Sequence, residues 1–217
     1  MTTTTEKWNN YEALSVDSLP TRLANIEVIV GLLGNADNWQ VKEVGDGNLN
    51  LVFIVSGPDQ AVVVKQALPY VRLVGDSWPL PLYRAYYEYH ALTRQQARDP
   101  DRVPQVLHFD ESQALIIMQF LTPHTILRHK LIRGEKVIDL GQVLGRFCAR
   151  TAFRGSELCM QSADKKTDVS LFCGNIEIPA ITEALVFTDP YFDAEMNNHT
   201  KGLDSVVQKL RSDVSLK

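Results

Sequence analysis

The pattern of hydrophobic and polar residues in the first half of the chain predicts a small antiparallel sheet with one main helix. A helical pattern over residues 25–33 ends at Gly34, because glycine readily adopts the left-handed conformation of a helix cap. From Trp39 onward apolar residues recur with a period of two, as in a strand with one buried face. The further predicted elements are strands over 49–55 and 61–65, an irregular Pro- and Gly-rich segment over 69–81, a helix over 82–98, and strands over 103–109 and 114–120.

Beyond residue 122 the pattern becomes mainly helical. The clearest helix is expected over residues 136–154, with one apolar stripe formed by Val137, Leu140, Val143, Leu144, Phe147 and Cys148. Cys148 on this stripe is interpreted as a core residue rather than a nucleophile. The last part, 156–217, is polar and rich in loops, with short helices expected over 177–184 and 202–211. We therefore predict an α+β fold with two domains, 1–121 and 122–217, the second incomplete and mainly helical.

Amino-acid composition and charge exclude several classes of protein. The 217 residues are 45% hydrophobic and 22% charged, which is typical of a globular chain and not of a disordered one. The formal net charge of −4 is dispersed, so neither nucleic acid nor a membrane surface is an expected partner. Three cysteines without a CxxC pair, and a first segment unlike a secretory signal, favour a reducing cytoplasmic location.

The connection between the first two predicted strands contains Gly45-Asp46-Gly47-Asn48. Glycines in such a loop allow the backbone to approach a ligand and to direct its N–H groups at phosphate oxygens. An Asp-Gly pair is also a common way to close a tight two-residue hairpin. From these residues alone, both interpretations remain open.

Two charged residues further along could complete a phosphate site. Lys65 ends the third predicted strand, 18 residues after Gly47, where its ammonium could lie under the loop or simply face water. Glu88 in the following helix could pair with Lys65, or instead with Arg84 four residues earlier in the same helix. Residues 118–121 end the fifth strand, where an adenine ring could be held by backbone groups.

Taken together, these segments resemble the N-terminal lobe of 5-methylthioribose kinases, which share the protein-kinase-like fold with aminoglycoside and choline kinases. The resemblance covers about residues 39–121, and residues 190–193 also resemble this family. The segments that carry the resemblance are 45–53, 63–72, 77–80 and 84–92. No single segment is specific for this family, but their combination is. The glycine segment departs from the protein-kinase G-x-G-x-x-G pattern at Asn50, which agrees with the small-molecule kinases.

The resemblance implies ATP-dependent phosphorylation of the 1-hydroxyl of methylthioribose in methionine salvage, with Mg²⁺ as a second cofactor. By position, the implied nucleotide-binding residues are Gly45, Asp46, Gly47, Asn48, Lys65, Glu88, Gln119, Phe120 and Leu121, with the last three as the adenine hinge. The expected partner is the small-molecule substrate, and a homodimer is compatible with the sequence. The alternatives are another small-molecule phosphotransferase and a non-catalytic nucleotide-binding lobe.

In this family the catalytic base comes from a His-Gly-Asp loop, and the metal ligands come from a later Asp-x-Glu motif. None of the five histidines begins His-Gly-Asp. Asp193-Ala194-Glu195 has the spelling of the metal motif, but we interpret it as a solvated loop because no catalytic loop precedes it. We therefore expect a chain that ends before the catalytic loop, carries no catalytic or metal-ligating residues, binds nucleotide weakly and turns over negligibly.

Overall fold

A computed structural model describes residues 8–45, 47–72 and 75–216. The helices are Leu19–Leu23 (α1), Glu27–Leu33 (α2), Arg84–Arg98 (α3), Leu127–Ile132 (α4), Leu140–Arg154 (α5), Ser162–Phe172 (α6), Glu177–Glu183 (α7) and Asp204–Ser212 (α8). The strands are Gln40–Glu43 (β1), Asn50–Ser56 (β2), Ala61–Ala67 (β3), Tyr70–Val71 (β4), Gly75–Pro79 (β5), Val106–Asp110 (β6) and Leu115–Gln119 (β7).

Five strands form one antiparallel sheet in the order β1-β2-β3-β7-β6. The predicted α+β class and the five-stranded antiparallel sheet are therefore confirmed. The segment expected to be irregular instead contains the β4–β5 hairpin, because its prolines and glycines hide two very short strands from a period-of-two pattern.

One face of the sheet carries the main core. From residue 61 to residue 66 strand β3 alternates, so Val62, Val64 and Gln66 are buried on one face while Lys65 points to the other. The core on the first face joins the sheet to α1 and α2, and its fully buried members include Leu19, Leu23, Ile29, Phe53 and Val55. This packing leaves the opposite face of the sheet available for Lys65 and α3.

The N-terminal segment is fastened to the sheet by two buried glutamines. Gln66 Oε1 accepts the Leu14 N–H at 2.8 Å, and Gln66 Nε2 donates to the carbonyls of Glu12 and Gln113. Gln113 in turn accepts the Glu12 N–H and donates to the Asn10 carbonyl. The segment 10–14 thus runs along the edge of the core as a bonded strap.

The chain divides into two compact units, Met1–Asp168 and Val169–Lys217. The helix predicted over 136–154 begins only at Leu140, so Val137 of the predicted apolar stripe precedes it. The expectation that Cys148 lies in a core is wrong, since that residue is exposed. Val143 and Leu144 on the same stripe are exposed too. Helix α6 was not predicted, because its sequence carries no clear apolar stripe.

Within the parts of the chain that the structure describes, no single helix is long and apolar enough to cross a membrane. One pair, Ser162–Phe172 followed by Glu177–Tyr191, reaches that length and composition only together and is bent by 72°.

Candidate functional site

Lys65 and Glu88 form the centre of the candidate site. The Nζ atom of Lys65 lies 2.5 Å from Oε1 of Glu88, and the two side chains are 25% and 32% exposed. The predicted pairing is therefore confirmed. Arg84, the alternative partner of Glu88, donates instead to the carbonyl oxygens of Leu49 and Pro81. The ammonium is thus held in place by a carboxylate on α3 while remaining accessible from one side.

The strand register places apolar side chains beside Lys65. Side chains directly opposite each other in an antiparallel pair share a face. Val52 on β2 and Ile116 on β7 lie opposite Lys65, while Ile54 and Met118 lie opposite Val63, one step further along β3. Ile116 is buried, and the others are half-buried. The lysine therefore stands at one end of an apolar platform of a kind that could carry a planar base.

Sequence reasoning named Met118 as part of this region but missed Val52, Ile54 and Val63. The signal was present in the alternation of β3, since Val63 is two residues before Lys65 and must share its face. The cross-strand neighbours on β2 require the register, which the sequence does not give.

The glycine segment forms a connection between β1 and β2 that is longer than a two-residue hairpin. Residues 44–49 separate the two strands, and the N–H of Val44 bonds the carbonyl of Val52 at 2.7 Å. A Cβ atom at Gly47 would lie only 2.8 Å from the carbonyl oxygen of Asn50, so a larger residue does not fit there. Gly45 has open space around it. Asp46, also assigned to this loop, lies outside the described residues.

Two arginines hold the ends of this loop, and sequence reasoning assigned neither of them to it. The backbone N–H of Arg72 bonds the Asn48 carbonyl at 2.8 Å, and its guanidinium pairs with Glu43 at 2.9 Å. Arg84 donates to the Leu49 carbonyl at the start of β2. Asn48 is 24 residues before Arg72, and Leu49 is 35 residues before Arg84. Spacing along the chain therefore does not reveal these contacts.

Burial lowers the pKa of Arg84 to about 10, against the opposing effect of Tyr11 and Glu88. The group still carries its charge at neutral pH. A permanent cation therefore lies at the junction of the glycine loop and α3, one helical turn before Glu88.

The three hinge candidates follow one another at the end of β7. Gln119 lies opposite Val62, three residues past Ile116, which places it about 10 Å from Lys65 along the sheet. Its backbone N–H already bonds the Gln105 carbonyl at 2.8 Å, and its side chain accepts the Gln105 N–H. Phe120 is half-buried and Leu121 is exposed. Any base that accepts a hydrogen bond from a backbone N–H here would therefore use a residue after Gln119.

Among the described residues, no group of three or more His, Cys, Asp or Glu side chains is arranged to hold a metal ion. Asp193, in the segment with the spelling of a metal motif, is fully exposed and lies 3.7 Å from Arg211. The segment is therefore a solvated loop, while the expectation that it holds no metal stays a prediction.

Comparison with known proteins finds methylthioribose kinases that are similar to this chain. No family model matches the chain. A methylthioribose kinase from Escherichia coli is 43% identical over 212 residues, which is 96% of this chain and 50% of that protein. This chain is related to the N-terminal half of methylthioribose kinases. Methylthioribose kinase 2 of Oryza sativa is 44% identical over 186 residues, 85% of this chain and 44% of that protein.

The methylthioribose kinase of Geobacillus kaustophilus is 42% identical over 212 residues, and this chain covers 52% of its length. The chain therefore spans about half the length of the curated relatives it matches. The resemblance drawn from the glycine segment, the lysine strand and the α3 region is confirmed.

Proposed function

We propose that this chain forms the nucleotide-binding part of a methylthioribose kinase, which transfers the γ-phosphoryl group of ATP to the 1-hydroxyl of methylthioribose. The observation that carries the proposal is the contact between the Lys65 ammonium and Glu88 at the edge of an apolar platform. The level of identity to methylthioribose kinases supports the choice of substrate.

Phosphoryl transfer depends mainly on positioning and on stabilising the negative charge of the phosphates. ATP would supply the transferable group. In this proposal Lys65 binds phosphate oxygens, Glu88 keeps its ammonium pointed toward them, and the glycine segment covers the phosphates with its backbone N–H groups. The platform formed by Val52, Ile54, Val63 and Met118 carries the adenine, and the backbone of Phe120 and Leu121 bonds its edge.

We further propose that the 217 residues alone bind ATP but transfer phosphate at a negligible rate. The reaction also requires a carboxylate that orients the acceptor hydroxyl and carboxylates that hold magnesium. The sequence contains no His-Gly-Asp segment, and the described residues contain no metal-binding cluster.

Calorimetric titration with ATP tests the binding proposal. We expect Lys65→Met to weaken ATP binding about 10- to 100-fold, since a hydrogen bond to a charged group contributes about 1.5–3 kcal/mol. The matched control is Lys136→Met, the same change at an exposed lysine beyond the sheet. Equal affinities in all three proteins, or no binding by the unmodified chain at millimolar ATP, would contradict the proposal.

A separate assay tests turnover. Phosphoryl transfer from ATP is measured with methylthioribose, an aminoglycoside and choline as acceptors, and with the Escherichia coli relative as the positive control. We expect no acceptor-dependent phosphate transfer by this chain. Rapid transfer to methylthioribose would refute the proposal that these residues lack catalytic power, and transfer to another acceptor would reassign the substrate.

A further inference from the structure

A single aspartate on α6 connects that helix to the helix that carries Glu88. Oδ1 of Asp168 lies 2.6 Å from Nε of Arg94, and Oδ2 lies 3.0 Å from Nη2 of Arg98. Arg94 and Arg98 are one turn apart on α3, so both guanidinium groups converge on the same carboxylate. The Asp168 side chain is only 14% exposed, which protects both ion pairs from solvent.

A second contact holds the same end of α3. Asp99, which directly follows the helix, has a side chain that is only 3% exposed, and its Oδ1 lies 2.7 Å from Nη1 of Arg150 on α5. Arg154, also on α5, donates to the carbonyl of Arg98. The C-terminal end of α3 is therefore held by charged groups of two other helices.

Apolar packing fixes the two ends of α3 unequally. The buried residues of this helix are Ala85 and Tyr87, both in its first half. The side chains that follow Glu88 are at most half-buried as far as Arg98. In this half of the helix the ion pairs act together with the stacking of Tyr89 on Phe109, whose ring centroids lie 4.4 Å apart, to set its position.

The position of α3 determines where Glu88 lies. At 1.5 Å per residue, Arg94 is about 9 Å along the helix axis from Glu88. Because a helix of this length moves as a rigid rod, a shift of its C-terminal half also moves the carboxylate of Glu88. The Lys65–Glu88 contact spans only one pair of atoms, so it responds to such a shift.

We propose that Asp168 is a positioning residue for nucleotide binding, which holds α3 through Arg94 and Arg98 so that Glu88 keeps Lys65 aligned. The inference rests on the proposed function, since it assigns Asp168 an effect on the same phosphate site. Asp168 touches neither Lys65 nor Glu88 directly, and its effect on the nucleotide must therefore pass through the helix.

The test measures ATP affinity in a double-mutant cycle. We expect Asp168→Asn, which removes the charge and preserves the shape, to weaken ATP binding about three- to tenfold in the otherwise unmodified chain. In the Glu88→Gln background the same substitution is expected to have no further effect. Asp168→Glu is expected to restore part of the affinity. The matched control is Asp164→Asn, an exposed aspartate one turn earlier on α6.

A purely structural role gives a different result. If Asp168 only stabilises the fold, Asp168→Asn lowers ATP affinity equally with and without Glu88, and this additivity would overturn the inference. Unchanged affinity in Asp168→Asn would also overturn it. If that variant does not fold, Arg94→Gln, which keeps the Arg98–Asp168 pair, takes its place in the same cycle.

The proposed function is judged separately, by the Lys65→Met titration. If the unmodified chain does not bind ATP, or binds it independently of Lys65, the phosphate site is wrong and Asp168 has no nucleotide to position. If binding depends on Lys65 but not on Asp168, only the inference about Asp168 fails.

Discussion

Gln66 and its neighbour Lys65 point to opposite faces of the same strand and connect to different parts of the molecule. Gln66 is fully buried and bonds the N-terminal strap, whereas Lys65 faces α3. A buried amide with all its partners in place is specific, because no other side chain of that size matches the same donors and acceptors. Strand β3 thus links the back of the sheet to the candidate site through adjacent residues.

Replacing the buried amide tests the importance of this strap. We expect Gln66→Leu to lower the free energy of unfolding by about 2–4 kcal/mol, because buried backbone groups of Leu14 and Gln113 lose their partners. Gln60→Leu, the same change at an exposed turn residue, is the control and should have almost no effect. Urea unfolding followed by circular dichroism provides the measurement. Equal stability of the two variants would show that the strap contributes little.

His90 gives a prediction about pH. Burial, assisted by the nearby Arg94, lowers the pKa of this imidazole below its usual 6.5, despite opposing effects of Glu111 and Asp168. Because the unfolded chain then binds the proton more tightly than the folded chain, stability falls as the pH drops below about 6.5.

This pH effect is measured as the melting temperature of the nucleotide-free chain between about pH 5 and pH 7.5. His90→Gln should flatten the decline at the acidic end. His124→Gln, at an exposed position, should leave the decline unchanged. A slope that is identical in all three proteins would mean that other groups account for it.

At the scale of secondary structure, β2 and β3 were predictable because they alternate and are bounded by turn residues, whereas β6 and β7 were indicated by the polar turn between them. Helix α1 was not predicted, since it is only five residues long and contains a proline. Strand β4 of the β4–β5 hairpin has only two residues. The contacts of Arg72 and Arg84 with the glycine loop depend on how the elements fold back on one another, so no local pattern could indicate them. The Lys65–Glu88 contact was anticipated because the resemblance supplied that three-dimensional context.

The glycine loop gives a prediction at this scale. Gly47→Ala should lower the free energy of unfolding by about 1–3 kcal/mol, because its Cβ would collide with a backbone oxygen and the loop must shift. Gly45→Ala, two residues earlier in open space, is the matched control and should cost less than half as much. Thermal denaturation of the nucleotide-free variants distinguishes them. A Gly47→Ala variant as stable as the control would show that the loop adapts without strain.

At the scale of the whole molecule, the sequence predicted apolar stripes but not which of them are covered. A stripe shows only that one face of a helix prefers to leave water, and its partner must come from tertiary structure. In the sheet region the apolar faces of the strands pack against α1 and α2 and are covered by them. In the α4–α5 region, Ile132 and Ile138 are 76% and 78% exposed. An apolar surface of this kind favours association.

We expect the purified chain to self-associate through the α4–α5 region as its concentration rises. Ile132→Lys combined with Ile138→Lys should reduce this association, because the added charges oppose burial of the surface. Thr21→Lys combined with Gln60→Lys, two exposed positions outside this region, adds the same two charges and controls for the change in net charge. Sedimentation velocity over a range of concentrations gives the measurement. A sedimentation coefficient that does not change with concentration would contradict this expectation.

The alternation of strand β3 has a consequence for how this segment tolerates insertions and deletions. A shift of one residue in the strand register would turn Lys65 into the hydrophobic core and would expose Gln66 on the platform. Both the strap and the phosphate site would then be lost together. The fold is therefore expected to tolerate substitutions at several positions within Ala61–Ala67, but not an insertion or a deletion in this strand. Natural variation in length is expected to fall in the turn that precedes the strand.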